Sequence, residues 1–332
     1  HAFVQVQDVR LFGEEASTLT DFSADALDVH QAWVEIGAAA DLAGLRVGRQ
    51  EVWYGGHRLI GTVNWTQQAR AFDGARLRLG EEGARARVDA FAFQLSEAAS
   101  PARSRDAAFL GSYAVVDLEE GRALDLYLLW NREEAGEADT EMGTAGARYV
   151  GGSGAIAYRV EGAWQFGDRA GRDVGAWFFG VRAGTSVAGG DGSLTLWYDH
   201  LSGDDPSDPD DGVFSTLFAT NHKFYGLADL FLDIPSHTAG RGLRDAAIKA
   251  AWTPAPRWSV GLDLHHLRVA EDTGLASGHL ANEVDLTVGR ELTAGARLTG
   301  GLSYVGEGDA LEPVRGIGES VTFAYVMLDV VF

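Results

Sequence analysis

The sequence has no cysteine, few prolines and almost no lysine, and it has no long apolar run. Without cysteine there is neither a disulfide framework nor a thiolate metal site. No stretch reaches the roughly 18 apolar residues of a transmembrane helix, so none is predicted. The net charge of −21 argues against nucleic acid as a partner, because phosphate binding needs a basic surface. Lysine occurs only at Lys223 and Lys249, so arginine supplies nearly all of the positive charge.

The dominant pattern is an alternation of apolar and polar residues with a period of two, which is typical of strands with two different faces. In one example, Leu124, Leu126 and Leu128 fall on one face, and Asp125 and Tyr127 fall on the other. Sixteen such segments are predicted, near residues 2–12, 27–38, 44–54, 71–80, 84–95, 106–118, 122–131, 143–151, 154–167, 173–187, 193–201, 243–253, 257–269, 279–290, 293–306 and 319–332. Most run for about ten residues, the length that a tilted strand needs to cross a bilayer.

The connections alternate between tight turns and longer loops. Turn-forming residues such as Glu81–Gly83 and Gly189–Gly192 follow the even-numbered segments, whereas most odd-numbered segments are followed by long loops. The connection at 168–172 breaks this rhythm because it is short. Long loops on one side and tight turns on the other are typical of outer-membrane barrels, in which every backbone polar group must be paired inside hydrocarbon.

We therefore predict an all-β fold, a transmembrane antiparallel up-and-down β-barrel of about 16 strands. It would form a single outer-membrane domain over residues 1–332 in the bacterial outer membrane, with residues 202–242 as a long extracellular loop. A soluble all-β fold is the alternative that the alternation alone leaves open.

Aromatic residues at strand ends support a membrane location. Val326, Leu328, Val330 and Phe332 form one stripe that ends in an aromatic residue, as expected for a lipid-facing strand, and this resembles the terminal-Phe signature by which bacterial barrels are recognised for insertion. Further tryptophans are expected in two aromatic girdles: Trp53, Trp130, Trp164, Trp252 and Trp258.

If the apolar residues face lipid, the alternate residues line a lumen, and mid-strand arginines should point into it because an arginine on the lipid face costs about 2–4 kcal/mol. Alternation assigns to the lumen Arg76, Arg78, Arg85, Arg87, Asp89, Arg148, Arg159, Glu161, Arg182, Lys249 and Arg297. Arg46 and Arg49 differ in parity, so both can line the lumen only with a bulge, expected near Gly48. Arginines in a pore select anions. The alternative is that they pair with acids on neighbouring strands and only stiffen the wall.

Several motifs resemble one family. Residues 48–61 read GRQEVWYGGHRLIG, residues 70–76 read RAFDGAR and residues 220–226 read TNHKFYG. The segments Gln5–Arg10 and His30–Ala32 fit the same pattern. Together they resemble the alginate-export family of bacterial outer-membrane β-barrel porins, most clearly over residues 1–80 and 200–230.

This resemblance implies a monomeric barrel whose positively charged lumen passes an anionic polysaccharide such as alginate. Apart from a candidate Ca²⁺ ion in the extracellular loop, no cofactor is predicted. Carried over by motif, the resemblance extends the pore-lining set to Arg49, Arg58, Arg70, Arg76 and Lys223. The best-known member has about 18 strands, so that number is expected here if an N-terminal hairpin is missing. Outer-membrane lipid and lipopolysaccharide are the implied surroundings, and a periplasmic export protein is a candidate partner.

Two loops have their own expectations. Loop 55–70 is expected to fold inward, where Arg58 and Arg70 either narrow the pore or pin the loop to the wall. In the longest connection, Phe214–Ile234 is apolar enough to form a lid or plug. Its acidic part offers oxygen ligands of the kind that Ca²⁺ prefers, with Asp204, Asp205, Asp208, Asp210 and Asp211 as candidates. The spacing is not that of an EF-hand, and a solvated acidic loop is the favoured interpretation.

No enzymatic activity is predicted. The adjacent His265 and His266 point to opposite faces of a strand, so they cannot act on one ligand. The sequence also has no Gly-x-Ser-x-Gly motif, which carries the serine nucleophile in one large class of hydrolases. The predicted function is an outer-membrane channel for anionic solutes. Two alternatives stay open: a general or small-anion diffusion porin, and a structural or adhesion barrel whose interior is closed and fully paired.

Overall fold

The computed structural model describes residues 1–9, 26–37, 42–65, 69–81, 83–96, 106–134 and 139–332. Some predicted features lie outside the described residues: Arg10 of the segment Gln5–Arg10, Glu82 of the predicted turn Glu81–Gly83, and residues 66–68 of loop 55–70. So do the predicted connections around 10–25, 97–105 and 135–138.

The described chain forms an all-β, up-and-down antiparallel fold. Its strands are β1 (Ala2–Val9), β2 (Ala26–Ile36), β3 (Ala43–Gln50), β4 (Phe72–Leu79), β5 (Ala86–Ser96), β6 (Asp106–Asp117), β7 (Ala123–Glu134), β8 (Thr140–Ser153), β9 (Ile156–Arg169), β10 (Arg172–Val187), β11 (Gly192–Leu201), β12 (Leu243–Trp252), β13 (Trp258–Arg268), β14 (His279–Thr293), β15 (Ala296–Glu307) and β16 (Val321–Val330). Two short helices, α1 (Ile234–His237) and α2 (Leu311–Arg315), lie in connections. The strands follow one another in the sheet from β1 to β16 in sequence order.

The sixteen predicted segments all correspond to strands, and their bounds agree to within a few residues. The short connection between β9 and β10 is real, because it comprises only Ala170 and Gly171. Within the described ranges, no helix is both long and apolar enough to cross a membrane.

The two faces of the sheet have opposite chemistry, and the apolar one is exposed. In β7, Leu126 and Leu128 are 46% and 52% exposed, whereas Asp125 and Tyr127, which alternate with them, are 3% and 6% exposed. The same holds in β13, where Leu262 and Leu264 are exposed and His265 is buried. We call the face of Leu126 and Leu264 the exposed face, and the face of Asp125 and His265 the buried face. A soluble protein has the reverse arrangement, so this partition is the one that a lipid-facing wall requires.

The chain forms two compact units. Unit 1 comprises residues 1–147, 165–174 and 216–220, and unit 2 comprises residues 148–164, 175–215 and 221–332. In unit 1, an aromatic core forms where β4, β5 and β6 meet: Phe72 and Phe93 lie 5.1 Å apart between ring centroids, and Phe91 lies 5.3 Å from Phe109. The same core receives Phe218, whose ring lies 4.8 Å from that of Phe109.

The predicted connection 202–242 runs between β11 and β12, and all of it except residues 216–220 belongs to unit 2. Much of it is apolar and buried, including Phe214, Phe224, Tyr225, Phe231 and Ile234. Phe214 packs on Phe178 of β10 at 5.7 Å, and Phe224 packs on Trp197 of β11 at 5.7 Å. This part of the loop therefore packs against the wall of its unit. Its extracellular position stays a prediction.

The bulge expected at Gly48 is not formed. In both pairings of β3, the register continues from Val47 through Gly48 to Arg49 without a shift. Gly48 instead takes a φ of +126°, and a Cβ there would lie 2.2 Å from the carbonyl oxygen of Ala32. The glycine thus permits close approach of two strands, and it leaves Arg46 and Arg49 on opposite faces.

Candidate functional site

On the buried face of unit 1, one glutamate connects two of the predicted lumen arginines. Nε of Arg46 donates to Glu35 at 2.7 Å, and Nη1 of Arg78 lies 3.5 Å from the other oxygen of Glu35. The guanidinium of Arg46 also lies 3.7 Å above the ring centroid of Trp33. The alternation pattern does not predict this role of Glu35, because it gives the face on which a residue lies but not the residues of other strands that it contacts.

The next strands carry two looser ion pairs. Arg76 lies 3.8 Å from Asp89, and Arg87 lies 3.5 Å from Asp117. The hydroxyl of Tyr54 donates to Asp89 at 2.8 Å. Burial, followed by the negative charge of Asp89, raises the pKa of Tyr54 well above its ordinary value, so this hydroxyl stays a donor. Arg85 lies just before β5 and is exposed.

Arg76, Arg78 and Arg87 line a pocket of about 470 Å³, and Trp53 lines it with them. We call it the Trp53 pocket, defined by Trp53, Arg76, Arg78 and Arg87. Trp53 was expected in an aromatic girdle, and that expectation is corrected, because the indole shares a pocket with buried-face arginines. Three other tryptophans that were predicted for the girdles do lie on the exposed face: Trp164, Trp252 and Trp258.

Arg49 is on the other side of the sheet. It continues the parity of Leu45 and Val47, which are exposed, and its Nη1 lies 3.2 Å from Asp73. Both side chains of this pair are largely exposed, at 38% and 57%. The absence of a bulge at Gly48 is the physical reason, and the assignment of Arg49 to the lumen is corrected accordingly.

Arg70 holds the loop between β3 and β4 in place, and Arg58 lies buried in the same loop. Arg58 is 2% exposed. Nη1 of Arg70 donates to the carbonyl oxygens of Phe218 and, at 3.2 Å, of Gly61. Burial lowers the pKa of Arg70 to about 10. This guanidinium therefore caps backbone carbonyls between two segments of unit 1.

The two segments are also joined through their backbones. The N–H of Gly61 donates to the carbonyl of Phe218 at 2.9 Å, and the N–H of Phe218 donates to Leu59 at 2.9 Å. Ile60 and Phe218 form a parallel bridge. Of the two interpretations of loop 55–70, the geometry of Arg70 agrees with pinning, although its partners are carbonyls and not carboxylates.

In unit 2, four predicted lumen cations meet around one tryptophan. Arg148, Arg159, Arg182 and Lys249 line a pocket of about 390 Å³, which we call the cationic pocket. Trp197 also lines this pocket and is 8% exposed. The guanidinium carbon of Arg182 lies 2.9 Å from the indole centroid, and Nζ of Lys249 lies 5.1 Å from it. No carboxylate is among the residues that line this pocket.

Lys249 belongs to a buried polar network. Its Nζ lies 2.6 Å from Asp263 and 3.1 Å from Nε2 of His265. Nδ1 of His265 lies 3.0 Å from both oxygens of Asp245. The hydrogen-bond pattern assigns the proton to Nδ1, so Nε2 accepts from the lysine. The network fixes where the ammonium of Lys249 sits.

Four carboxylates of the buried face are held away from water, whereas Asp89 and Asp263 are partly exposed. Asp125, Glu161, Asp199 and Asp245 are each 5% exposed or less. Tyr113 donates to Asp125 at 2.7 Å, and the indole N–H of Trp197 donates to Asp199 at 2.8 Å. The four cations of the cationic pocket are only half-buried.

Two predicted residues lie away from both pockets. Lys223 is exposed in the loop, with Nζ 5.2 Å from the ring of Phe224. Arg297 donates to the hydroxyl of Ser259 at 2.6 Å on the buried face.

The calcium candidates receive no support. Asp204, Asp208 and Asp211 accept hydrogen bonds from the backbone N–H groups of Gly212, Asp210 and Val213. Asp205 accepts from both the N–H and the hydroxyl of Ser207, and these bonds lower its pKa. These carboxylates close local turns, and among the described residues no group of three or more acidic or histidine side chains is arranged to hold a metal.

The fold is similar to that of solved structures, among them three from Pseudomonas aeruginosa. The structure of OccK1 (OpdK) matches with a TM-score of 0.65 and 12% identity, covering 97% of this chain and 84% of that one. OpdK with vanillate matches at 0.64 and 11% identity, over 98% and 82%. The outer-membrane protein OprD matches at 0.61 and 12% identity, over 92% and 78%. Among curated proteins, no relative was found.

The exposed apolar face, the polar buried face and the likeness to these structures define the fold as that of an outer-membrane β-barrel. The family model for alginate export matches residues 1–316. The chain belongs to the alginate-export family. Membership of an export family together with this fold identifies an outer-membrane channel, and the expectation that the chain is not an enzyme agrees with that family.

Proposed function

We propose that the channel favours anions and that its solute is an anionic polysaccharide such as alginate. The observation that carries this proposal is the cationic pocket, where four cations and no carboxylate line one cavity. Family membership is consistent with such a solute.

The electrostatic argument depends on exposure. A charge acts on a passing ion most strongly when it borders the same water-filled space. Arg148, Arg159, Arg182 and Lys249 border the cationic pocket, whereas Asp199 and Asp245 on the same face are fully buried. Asp263, which pairs with Lys249, has a side chain that is 23% exposed, but it is not among the residues that line the pocket. The negative net charge of −21 therefore does not describe the surface that an ion meets in this pocket.

Reversal potentials across a planar bilayer under a potassium chloride gradient test the proposal. We expect the wild-type channel to prefer chloride, and a preference for potassium would overturn the proposal. The double variant Arg148→Gln with Arg159→Gln should lose part of the chloride preference. Its matched control is Arg49→Gln with Arg290→Gln, which removes the same charge from the exposed face and should leave the preference unchanged.

The solute is tested separately by block of the current. Oligomers of uronic acid should block at concentrations where neutral oligosaccharides of the same length do not. Anion preference without such a block would favour a small-anion diffusion porin. A protein that inserts but carries no current would favour the structural or adhesion barrel.

A further inference from the structure

We propose that the Trp53 pocket is a subsite for a sugar ring that carries a carboxylate. Trp53 would stack on the ring, and Arg76, Arg78 and Arg87 would bind the carboxylate. This inference rests on the proposed function. It adds to the attraction between charges a second contact, the stacking of the sugar ring on Trp53.

The position of the indole carries the argument. Trp53 is 52% exposed, although it shares its pocket with three arginines and not with lipid-facing residues. An apolar ring that faces a polar cavity forgoes the free energy of burial. A ligand with a flat apolar face would recover that free energy by covering the indole.

The residues next to Trp53 are rigidly placed. Val52 is fully buried. The ring of Tyr54 stacks on Tyr113 at 4.5 Å and on Phe91 at 5.8 Å, and its hydroxyl is bound to Asp89. The ring of His57 stacks on the indole at 6.2 Å. The chain is therefore fixed on both sides of Trp53, and the indole is presented from a defined position, which lowers the entropy cost of binding.

The arginines supply the second half of the subsite. Arg76 and Arg78 project from β4 and Arg87 projects from β5, so three guanidinium groups lie along one wall of the pocket. Asp89 is the one carboxylate among the lining residues, and it already accepts the hydroxyl of Tyr54. The ion pairs Arg76–Asp89, Arg78–Glu35 and Arg87–Asp117 are long, at 3.5–3.8 Å. A guanidinium can bind a carboxylate with two parallel hydrogen bonds, which is a better geometry than these pairs have.

Together the two halves select for a combination of features. The C–H face of a pyranose ring fits an indole, and a carboxylate on that ring reaches the guanidinium groups. A small anion without a ring uses only the arginines, and a neutral sugar uses only the tryptophan. An acidic sugar ring uses both.

Current block in planar bilayers tests the subsite with four probes: a uronic acid trimer, a neutral trisaccharide, citrate and benzoate. In the wild-type channel the uronic acid trimer should block best. Trp53→Ala should weaken that block about tenfold, the order expected for loss of an aromatic stacking contact. Trp53→Phe should retain most of it. Trp164→Ala is the matched control, because Trp164 is equally exposed, at 50%, but on the exposed face.

The outcomes separate the two proposals. Equal block of Trp53→Ala and wild type by the trimer would overturn the subsite. Block by benzoate that matches the trimer and depends equally on Trp53 would overturn the assignment to a sugar. The reversal potential of the wild-type channel decides the proposed function independently. Folding of each variant is checked by heat-modifiability on a gel, and trimer binding to the detergent-solubilised protein by calorimetry repeats the comparison if Trp53→Ala inserts poorly.

Discussion

The backbone N–H of Ala228 donates a hydrogen bond of 2.8 Å to the carboxylate of Glu283, which joins the long loop of unit 2 to β14. One residue earlier, the N–H of Leu227 donates to Asp285 at 3.3 Å. Both carboxylates are 1% exposed. Two consecutive amides thus bind two acids that lie two residues apart on one strand, and the loop is docked by its backbone.

Gly226→Ala should undock this segment. Gly226 has a φ of +93°, and a Cβ there would lie 2.2 Å from Oε2 of Glu283. The clash comes in addition to the cost of a left-handed conformation, about 1–3 kcal/mol for a residue other than glycine. We expect faster cleavage of residues 221–242 by an added protease, measured by mass spectrometry on the folded protein.

Gly240→Ala is the control for that prediction. Gly240 lies in the same loop with a φ of +75°, but the nearest atom to its Cβ position is Cγ2 of Val213 at an ordinary 3.5 Å. The Gly240→Ala variant therefore has the cost of a left-handed alanine but no clash with a neighbouring atom. Equal protease sensitivity of the two variants would show that contact with Glu283 does not hold the loop.

Arg70→Ala should separate the two segments that Arg70 joins in unit 1. The change leaves the carbonyls of Gly61 and Phe218 without a charged donor, and each such hydrogen bond contributes about 1.5–3 kcal/mol. We expect faster hydrogen exchange at the amides of Gly61 and Phe218. Arg49→Ala is the matched control, since its exposed ion pair contributes only about 0–1 kcal/mol. Unchanged exchange in Arg70→Ala would mean that backbone pairing alone holds the segments.

The docking of α1 should weaken in acid because of His237. Nδ1 of His237 accepts the N–H groups of Leu232 and Asp233 at 3.1 and 3.2 Å. Burial, and then the positive charge of Arg315, lower the pKa of His237 below its ordinary value of 6.5, against the opposing effect of Asp233. The docked segment therefore favours the neutral ring. Its stability is full above about pH 6.5 and falls as the undocked segment takes up a proton below that pH.

Protease cleavage of residues 232–238 at about pH 7.5 and about pH 5.5 measures this effect. The wild type should be cleaved faster at the lower pH, relative to an unstructured peptide of the same sequence. His237→Asn keeps an acceptor but does not titrate, so the pH dependence should be reduced. An identical pH dependence in both proteins would assign the effect to another group.

Much of the fold was predictable because lipid imposes a local rule. A wall between hydrocarbon and water forces a period of two on every strand, so parity placed Leu126 and Leu128 on the exposed face, and Arg76, Arg148 and Arg182 on the face opposite to the apolar stripe. The same rule left Arg49 undecided, because the choice between a bulge and a straight strand depends on how closely Gly48 approaches β2, and the motif resemblance placed Arg49 in the lumen.

The loop residues were not predictable in this way. Arg70 and Phe218 are 148 positions apart in the sequence, and no local pattern specifies their contact. Trp53 has the sequence position of a girdle tryptophan, and only the path of the chain after β3 brings it beside Arg76. Trp197 had no signal beyond its parity, because its role depends on cations from four other strands. Which residues meet an ion or a sugar stays a prediction.

Leu128→Arg should impair insertion, because Leu128 lies at the middle of β7 and is 52% exposed on the face assigned to lipid. An arginine there costs about 2–4 kcal/mol at the midplane of the bilayer and only about 0–1 kcal/mol near an interface. The matched control is therefore Leu292→Arg, at an exposed leucine one residue from the end of β14. Urea unfolding in lipid vesicles, followed by tryptophan fluorescence, should show a much larger loss of stability for Leu128→Arg. If both variants lost the same small amount, the face of Leu128 would not be in contact with hydrocarbon, and the assignment of the exposed face would be wrong.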